Sequence, residues 1–92
     1  MATEKQLKSK QLRLRRQVDE ILGDFLIGSV SSKGPKRPGF NLTYKVEQIT
    51  KSRHIRKEHE ARVRRMIKQH KRMKALLQDL AVVNWELLKL ED

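Results

Sequence analysis

The residues of this chain with the clearest chemistry are its lysines and arginines, because their side chains bind phosphate. Of the 22 Lys and Arg residues, 15 lie between Lys33 and Lys74, where only Glu47, Glu58 and Glu60 oppose them, so this segment carries a net charge of +12. A charge block of this size attracts polyanions over a Debye length of about 8 Å at physiological salt. Nucleic acid is the densest common polyanion in a cell. The pattern therefore favours nucleic-acid binding over the plainer interpretation of a solvated basic surface.

The predicted contact surface combines cations from a loop, a strand and a long helix. Its members are Lys33, Lys36 and Arg37 of the loop, Lys51 and Arg53 of the strand, and Arg56, Lys57, Arg62, Arg64, Arg65, Lys68, Lys71 and Arg72 of the helix. No cluster of Asn or Gln lies among them to bind base edges, so we expect mainly phosphate contacts and a modest or shape-based sequence preference. Duplex DNA is the favoured partner, and RNA stays open.

Histidine and serine are the other residues that could do chemistry. His54, His59 and His70 lack the i, i+4 spacing that puts two metal ligands on one helical face, and no carboxylate cluster joins them. The serines have no evident neighbouring base, and the absence of cysteine excludes thiolate chemistry and disulfides. With 92 residues and four aromatic side chains, the chain fills a small core but does not enclose a deep cavity. We therefore expect no enzyme, no metal and no cofactor.

The first element predicted to position these residues is a helix over residues 3–22. Thr3 and Gln6 have the spacing of a capping box, and Gly23 can take the left-handed conformation that ends a helix. An apolar stripe follows at steps of four and three residues, formed by Leu7, Gln11, Leu14, Val18 and Ile21.

A change of period after Asp24 predicts an antiparallel meander over residues 25–54. Residues 25–30 are β-rich, residues 40–46 alternate apolar with polar, and a third strand at about 49–54 follows a tight connection at Glu47 and Gln48. Two prolines keep residues 31–39 as a basic loop. The buried face is expected to carry Phe40, Leu42, Tyr44 and Val46. Phe40 and Tyr44 also have the spacing of base-stacking aromatics, although core packing is the preferred interpretation.

Residues 56–90 contain neither Gly nor Pro and predict one helix of about 50 Å. A heptad assignment puts eight residues at core positions over four repeats. They are Val63, Met66, His70, Met73, Leu77, Leu80, Asn84 and Leu87. We expect a single α+β domain over residues 1–92, mostly helical, in which the first helix packs antiparallel on the long helix through a coiled-coil-like seam.

The second half of the long helix is apolar on several faces, and the first helix can cover only one of them. The surplus predicts a homodimer, with the alternative that the sheet folds over this surface within one chain. Val83 is expected on the flank of the dimer seam and Asn84 as a residue that fixes its register. The predicted interface consists of Leu76, Leu77, Leu80, Val83, Asn84 and Leu87.

The chain shows no sign of a membrane partner. Its longest apolar run, residues 80–83, is far shorter than a bilayer span, and the N-terminus lacks the apolar stretch of a signal peptide. We expect a cytoplasmic protein, nucleoid-associated if it binds DNA. The competing functional class is a protein-interaction module, an inhibitor or adaptor that docks on an acidic or nucleic-acid-binding surface of another protein.

The order of several short motifs resembles a family of small bacterial and archaeal proteins, a domain of unknown function. The motifs are Ile27-Gly28-Ser29-Val30, Gly34-Pro35, Phe40-Asn41-Leu42-Thr43-Tyr44-Lys45, Thr50-Lys51-Ser52-Arg53 and Asn84-Trp85-Glu86-Leu87-Leu88. They are similar to that family's "GSL" strand, its loop, its "YYLSYK"-type and "KTRS"-type strands, and its long C-terminal helix.

The resemblance implies a fold of helix, meander and long helix, and a role in mobile-element biology, since members are often encoded beside mobile elements. It implies no activity. Many members also carry cysteines in the loop between the first two strands. This chain has Ser31, Ser32 and Lys33 in that region, so the resemblance implies no metal role here.

Overall fold

The computed structural model describes residues 3–32 and 39–91. The elements in chain order are α1 (Glu4–Ile21), β1 (Ser29–Ser32), β2 (Phe40–Val46), β3 (Ile49–Ile55), a single turn of 3₁₀ helix (Lys57–His59) and α2 (Glu60–Lys89). The predicted fold class, α+β and mostly helical, is confirmed. The predicted loop cations Lys33, Lys36 and Arg37 lie outside the described residues. The chain divides into two compact units, the first comprising Met1–Gly23 and Lys71–Asp92 and the second Asp24–His70.

In the first unit, α1 forms because its sequence satisfies both its first turn and its core face. The Thr3 hydroxyl accepts a hydrogen bond from the Gln6 N–H at 3.2 Å, and the Gln6 side-chain oxygen accepts one from the Thr3 N–H at 3.0 Å. The predicted capping box is therefore confirmed. The predicted apolar stripe is also buried, at Leu7, Leu14, Val18 and Ile21.

The end of α1 differs from the sequence prediction. Leu22 is the C-cap residue of α1 and has a right-handed helical conformation. Its N–H donates to the Val18 carbonyl at 3.1 Å. Gly23 is not among the glycines with positive φ. The left-handed cap predicted at Gly23 is therefore wrong, because the last turn closes on Leu22 without it.

α1 packs antiparallel on the C-terminal part of α2 within the first unit. Leu7, Leu14 and Val83 form the buried cluster, and the half-buried Leu76, Leu80 and Leu87 pack against it. The first turns of α1 and the last turn of α2 line the same groove, which fixes the antiparallel direction. In the part of the chain that the structure describes, no helix is long and apolar enough to cross a membrane.

The core stripe of α2 does not follow the heptad assignment. Leu77 is 46% exposed and Asn84 is exposed, whereas Leu76 and Val83, each one residue earlier, pack in the core. Leu76 and Val83 flank Leu80 on one side of the helix, and Leu77 and Asn84 flank it on the other side, because residues three and four positions apart are neighbours on a helix. α1 packs on the side that carries Leu76 and Val83. The prediction of Leu77 and Asn84 as core positions is therefore wrong. Asn84 instead accepts a hydrogen bond from the Gln11 side chain at 2.7 Å.

The second unit contains a three-stranded antiparallel sheet in the order β1-β2-β3. Val46 pairs with Ile49, so β2 and β3 are joined by the two residues Glu47 and Gln48, whose φ angles are 51° and 69°. Two positive φ angles are what a type I′ hairpin turn needs, and the predicted tight connection is confirmed. The core side of the sheet packs on α2 through a cluster of Leu42, Ile55 and Ile67, with Leu26, Val30, Phe40, Tyr44 and Val63 around it.

The first strand begins later than predicted. Residues 25–28 are not in the sheet, because the Leu26 N–H donates to the carbonyl of Met66 in α2 at 3.2 Å instead of to a neighbouring strand. At Gly28 the φ angle is 141°, and a Cβ there would lie 2.5 Å from the Thr43 carbonyl oxygen. The chain thus enters β1 so close to β2 that only glycine fits.

The same shift corrects the predicted loop. Ser31 and Ser32 belong to β1, where they pair with Asn41 and Phe40 of β2. The predicted loop over residues 31–39 therefore begins too early, because residues 31 and 32 are in β1. β1 extends through these serines, although serine has no strong preference for strands, because both residues pair with β2.

Candidate nucleic-acid interface

The positive charge of the chain is concentrated in the second unit. Residues 24–70 hold 12 of the 22 basic and four of the 11 acidic residues, a net charge of +8, whereas the first unit carries +3. Most of the predicted contact residues lie in this unit. Lys71 and Arg72 are exposed on the part of α2 that belongs to the first unit.

Two of the predicted contact residues are engaged within the fold. Arg62 lies 3.7 Å from Asp24, and Arg64 forms a 3.0 Å ion pair with Glu60 one helical turn earlier. The Arg64 guanidinium also lies 5.7 Å from the centroid of the Phe40 ring. Such exposed pairs contribute little to stability, about 0–1 kcal/mol. The two ion pairs nevertheless occupy Asp24 and Glu60 and hold the Arg62 and Arg64 side chains against the protein's own surface.

Arg53 is also held by a neighbour on its own sheet. Its Nε–H donates to the Tyr44 hydroxyl at 2.8 Å, and its guanidinium lies 5.8 Å from the centroid of the Tyr44 ring. This hydrogen bond, together with electrostatic attraction to the same group, raises the pKa of Arg53 above its ordinary value. Arg53 is therefore a permanent cation fixed beside Tyr44, and both aromatics of β2 pack against the core as expected.

The remaining described cations of the second unit are exposed and form no ion pair with any residue that the structure describes. Because the unit has few acidic residues and two of them are already paired, no carboxylate among the described residues lies within ion-pair distance of these side chains. They are the groups available to bind phosphate, namely Lys45, Lys51, Arg56, Lys57, Arg65 and Lys68.

The fold distributes these cations over two opposite sides of the unit. Val63 and Ile67 of α2 face the sheet. Arg65 and Lys68 lie about 100–200° around the helix from these two residues, on the side that faces away from the sheet. The strand and helix cations of the predicted contact surface are therefore not all brought into one surface.

The sheet has an outer face that the sequence analysis did not identify. Side chains alternate along a strand, and directly paired residues of antiparallel strands share a face. Since Leu42 points to the core, the opposite side carries Asn41 paired with His54, Thr43 paired with Ser52, and Lys45 paired with Thr50. Ser29 and Ser31 of β1, paired with Thr43 and Asn41, lie on the same side. These eight side chains form the outer sheet face. They make no side-chain hydrogen bond with any other residue in the described ranges.

The end of the hairpin extends past the core. β1 pairs only with Phe40–Thr43, so residues 44–51 form a two-stranded segment, here called the hairpin arm. Val46 is 43% exposed and Ile49 is 61% exposed. The prediction that Val46 is buried is therefore wrong, because the core ends at Tyr44. The arm is accessible from both faces and carries Lys45 and Lys51.

The three histidines lie at two places: His54 and His59 line one groove beside Ile55 and Val63, and His70 is not part of it. The His70 ring stacks on Phe25 with centroids 5.8 Å apart, whereas His54 and His59 are exposed. Within residues 3–32 and 39–91, no three His, Asp or Glu side chains are placed to hold a metal ion. His54 belongs to the outer sheet face and His70 to the packing of the unit.

The residues predicted as a dimer interface lie mostly inside the first unit. Val83 is 2% exposed and contacts α1, so its predicted place on the flank of an intermolecular seam is wrong. Leu76, Leu80 and Leu87 pack against the same cluster. The exposed apolar residues of this part of α2 share only Leu77 with the predicted interface; they are Leu77, Val82, Trp85, Leu88 and Leu90.

Comparison of the chain with protein-family models, with curated proteins and with solved structures finds no match. The family resemblance of the sequence motifs therefore stays a prediction. The functional argument depends on the chemistry and geometry of the second unit.

Proposed function

We propose that this chain is a non-enzymatic nucleic-acid-binding protein that binds duplex DNA mainly through backbone phosphates. The observation that supports this proposal is the second unit's net charge of +8, with six exposed cations that have no acidic partner among the described residues. Unpaired surface cations repel one another, so a polyanionic ligand that neutralises them gains electrostatic free energy and releases counterions.

The proposal includes a place of action. A duplex-binding protein of this kind would work in the cytoplasm at the nucleoid. The resemblance of its strand and helix motifs to proteins encoded beside mobile elements adds a link to mobile-element DNA.

Binding to random-sequence duplex DNA is expected to weaken steeply with salt. If about six phosphates are neutralised, log K should fall against log salt with a slope near −5, since each contact contributes about −0.9. Fluorescence anisotropy with labelled duplex DNA, duplex RNA and single strands, each at several salt concentrations, measures this slope and the preferred partner.

Two outcomes would count against the proposal. Affinity that does not change with salt would mean that phosphate contacts do not hold the ligand. Absence of duplex binding, together with tight binding to the acidic surface of one protein, would instead favour the interaction-module class.

We also propose that the chain forms a homodimer through the exposed apolar side of the C-terminal half of α2. Leu77, Ala81, Trp85 and Leu88 follow one another at steps of four, four and three residues and so share one face of the helix. Trp85 is 60% exposed and Leu88 is 50% exposed. A contiguous apolar patch of this kind is a common contact surface between protein molecules. This surface keeps Leu77 of the predicted seam but not Leu76, Leu80, Val83 and Leu87, which pack within the chain.

Replacing Trp85 and Leu88 together by Lys is expected to convert a dimer to a monomer, because it places two cations in the apolar contact. Light scattering at tens of micromolar measures the mass, and circular dichroism measures the helix content, which should not change. The control is Ala75→Lys, an exposed position about 120–160° around the helix from Leu77, Ala81 and Leu88 and about 15 Å along the helix from Trp85. An unmutated protein that is already monomeric under these conditions would show that the dimer proposal is wrong.

A further inference from the structure

We infer that the outer sheet face lies in the major groove of duplex DNA and binds base edges, so that the second unit recognises sequence as well as phosphate. This inference rests on the proposed function and names the surface and the residues responsible. It differs from the sequence prediction of modest or shape-based preference, because the strand pairing assembles hydrogen-bonding side chains that are far apart in the chain.

The size of the sheet fits the groove. Neighbouring strands lie about 4.8 Å apart, so the axes of the three strands span about 10 Å, against a major groove about 12 Å wide. The hairpin arm is narrower because β1 ends opposite Thr43, and two-stranded ribbons are known to fit this groove. The exposure of Lys45, Thr50 and Ser52 shows that no described part of the chain covers this end of the sheet.

The chemistry of the outer sheet face suits bases better than it suits phosphate alone. Asn41 has the amide that pairs bidentately with adenine. Thr43, Thr50 and Ser52 each supply a hydroxyl that both donates and accepts. These groups are unpaired within the described residues, and none of the eight residues of this face is acidic. Glu47 is the nearest acidic residue along the hairpin, and it lies in the turn.

The same geometry selects DNA over RNA. The major groove of A-form RNA is deep and narrow and does not admit a sheet, whereas that of B-form DNA does. Lys51 pairs with Tyr44 and so lies on the side of the arm opposite the outer sheet face, but β3 is the edge strand, where a flanking phosphate would pass. The outer sheet face therefore binds bases while the arm's cations hold the backbone.

The experiment is a selection from a random duplex DNA pool with the full chain, followed by affinity measurements for the selected site and for random duplex. The test variant is Asn41→Ala with Ser52→Ala. The matched control is Gln78→Ala with Ser9→Ala, which also removes one amide and one hydroxyl, at exposed positions of the first unit. A second variant, Thr50→Val, keeps a β-branched side chain in the strand and removes only the hydroxyl.

We expect the selection to return a defined site and the test variant to lose roughly 5- to 150-fold of its preference for that site, the range for one bidentate base contact. Affinity for random duplex should stay within about twofold, because no charge is removed. Thr50→Val should lower the preference in the same direction, and the control should not change it.

The failures are distinguishable. If the unmutated chain binds random duplex but selects no site, or if the test variant and Thr50→Val keep the preference, the inference is wrong and the proposed function stands. Equal binding of duplex RNA and of the selected DNA also overturns the inference. If the chain binds no duplex at all, the proposed function fails first.

Discussion

Replacing Val83 by Asp is expected to unfold the helical hairpin of the first unit. Val83 is 2% exposed and packs with Leu7 and Leu14, so the new carboxylate would be buried among apolar side chains without a partner. The loss of apolar contacts and the burial of a charge together cost about 3–5 kcal/mol, a large part of the stability of a domain this small. Thermal unfolding followed by circular dichroism at 222 nm should show a midpoint tens of degrees lower, or no cooperative transition.

The neighbouring residue supplies a matched control for this result. Val82 is 51% exposed, and Val82→Asp makes the same chemical change one position earlier in the same helix. It should change the midpoint by only a few degrees, since exposed substitutions usually fall within about 0.5 kcal/mol. Similar midpoints for the two variants would mean that Val83 is not packed against α1.

The parts of the fold that local sequence chemistry determines were predictable. Thr3 and Gln6 specify the start of α1 by two reciprocal hydrogen bonds within four residues. The connection at Glu47 and Gln48 follows from two strand patterns separated by two residues. These features depend on neighbours in the chain, so their signals are complete in the sequence.

The errors lie where a distant segment decides the outcome. Leu26 and its neighbours have strand propensity, but the Leu26 N–H donates a hydrogen bond to the carbonyl of Met66, 40 residues further along the chain. The choice between Leu76 and Leu77 as a core residue depends on which flank of Leu80 α1 covers, and this is set by a segment about 60 residues away in the chain. Tertiary contacts override propensity in both places.

The candidate interface shows the same limit. A charge count along the chain locates the basic segment, because a net charge does not depend on the fold. Which cations share a surface does depend on it: Arg65 lies on the far side of α2 from the sheet, and Lys45, outside the predicted set, lies on the outer sheet face. Asn41 and Ser52 are 11 residues apart and share this face only through strand pairing.

Reversing two cations of the hairpin arm is expected to weaken duplex binding far more than reversing two cations of the helix. Lys45→Glu with Lys51→Glu removes two phosphate contacts and adds repulsion at the groove. Affinity should fall roughly 100-fold, and the salt slope should become less negative by about 2. Arg65→Glu with Lys68→Glu makes the same change of charge in the same unit, and each pair lowers the net charge of +11 by four units to +7.

The helix pair is expected to weaken binding only a few-fold at physiological salt. Arg65 and Lys68 face away from the sheet, behind a layer on the order of 10 Å thick, which exceeds the Debye length of about 8 Å. Anisotropy titrations of both variants against one labelled duplex give the comparison, and circular dichroism checks that each variant is folded. A large loss of affinity on reversing Arg65 and Lys68 alone would mean that α2 makes the phosphate contacts and that the sheet does not lie in the groove. If both folded variants bind as the unmutated chain does, the basic surface of the second unit is solvated and the nucleic-acid proposal is wrong.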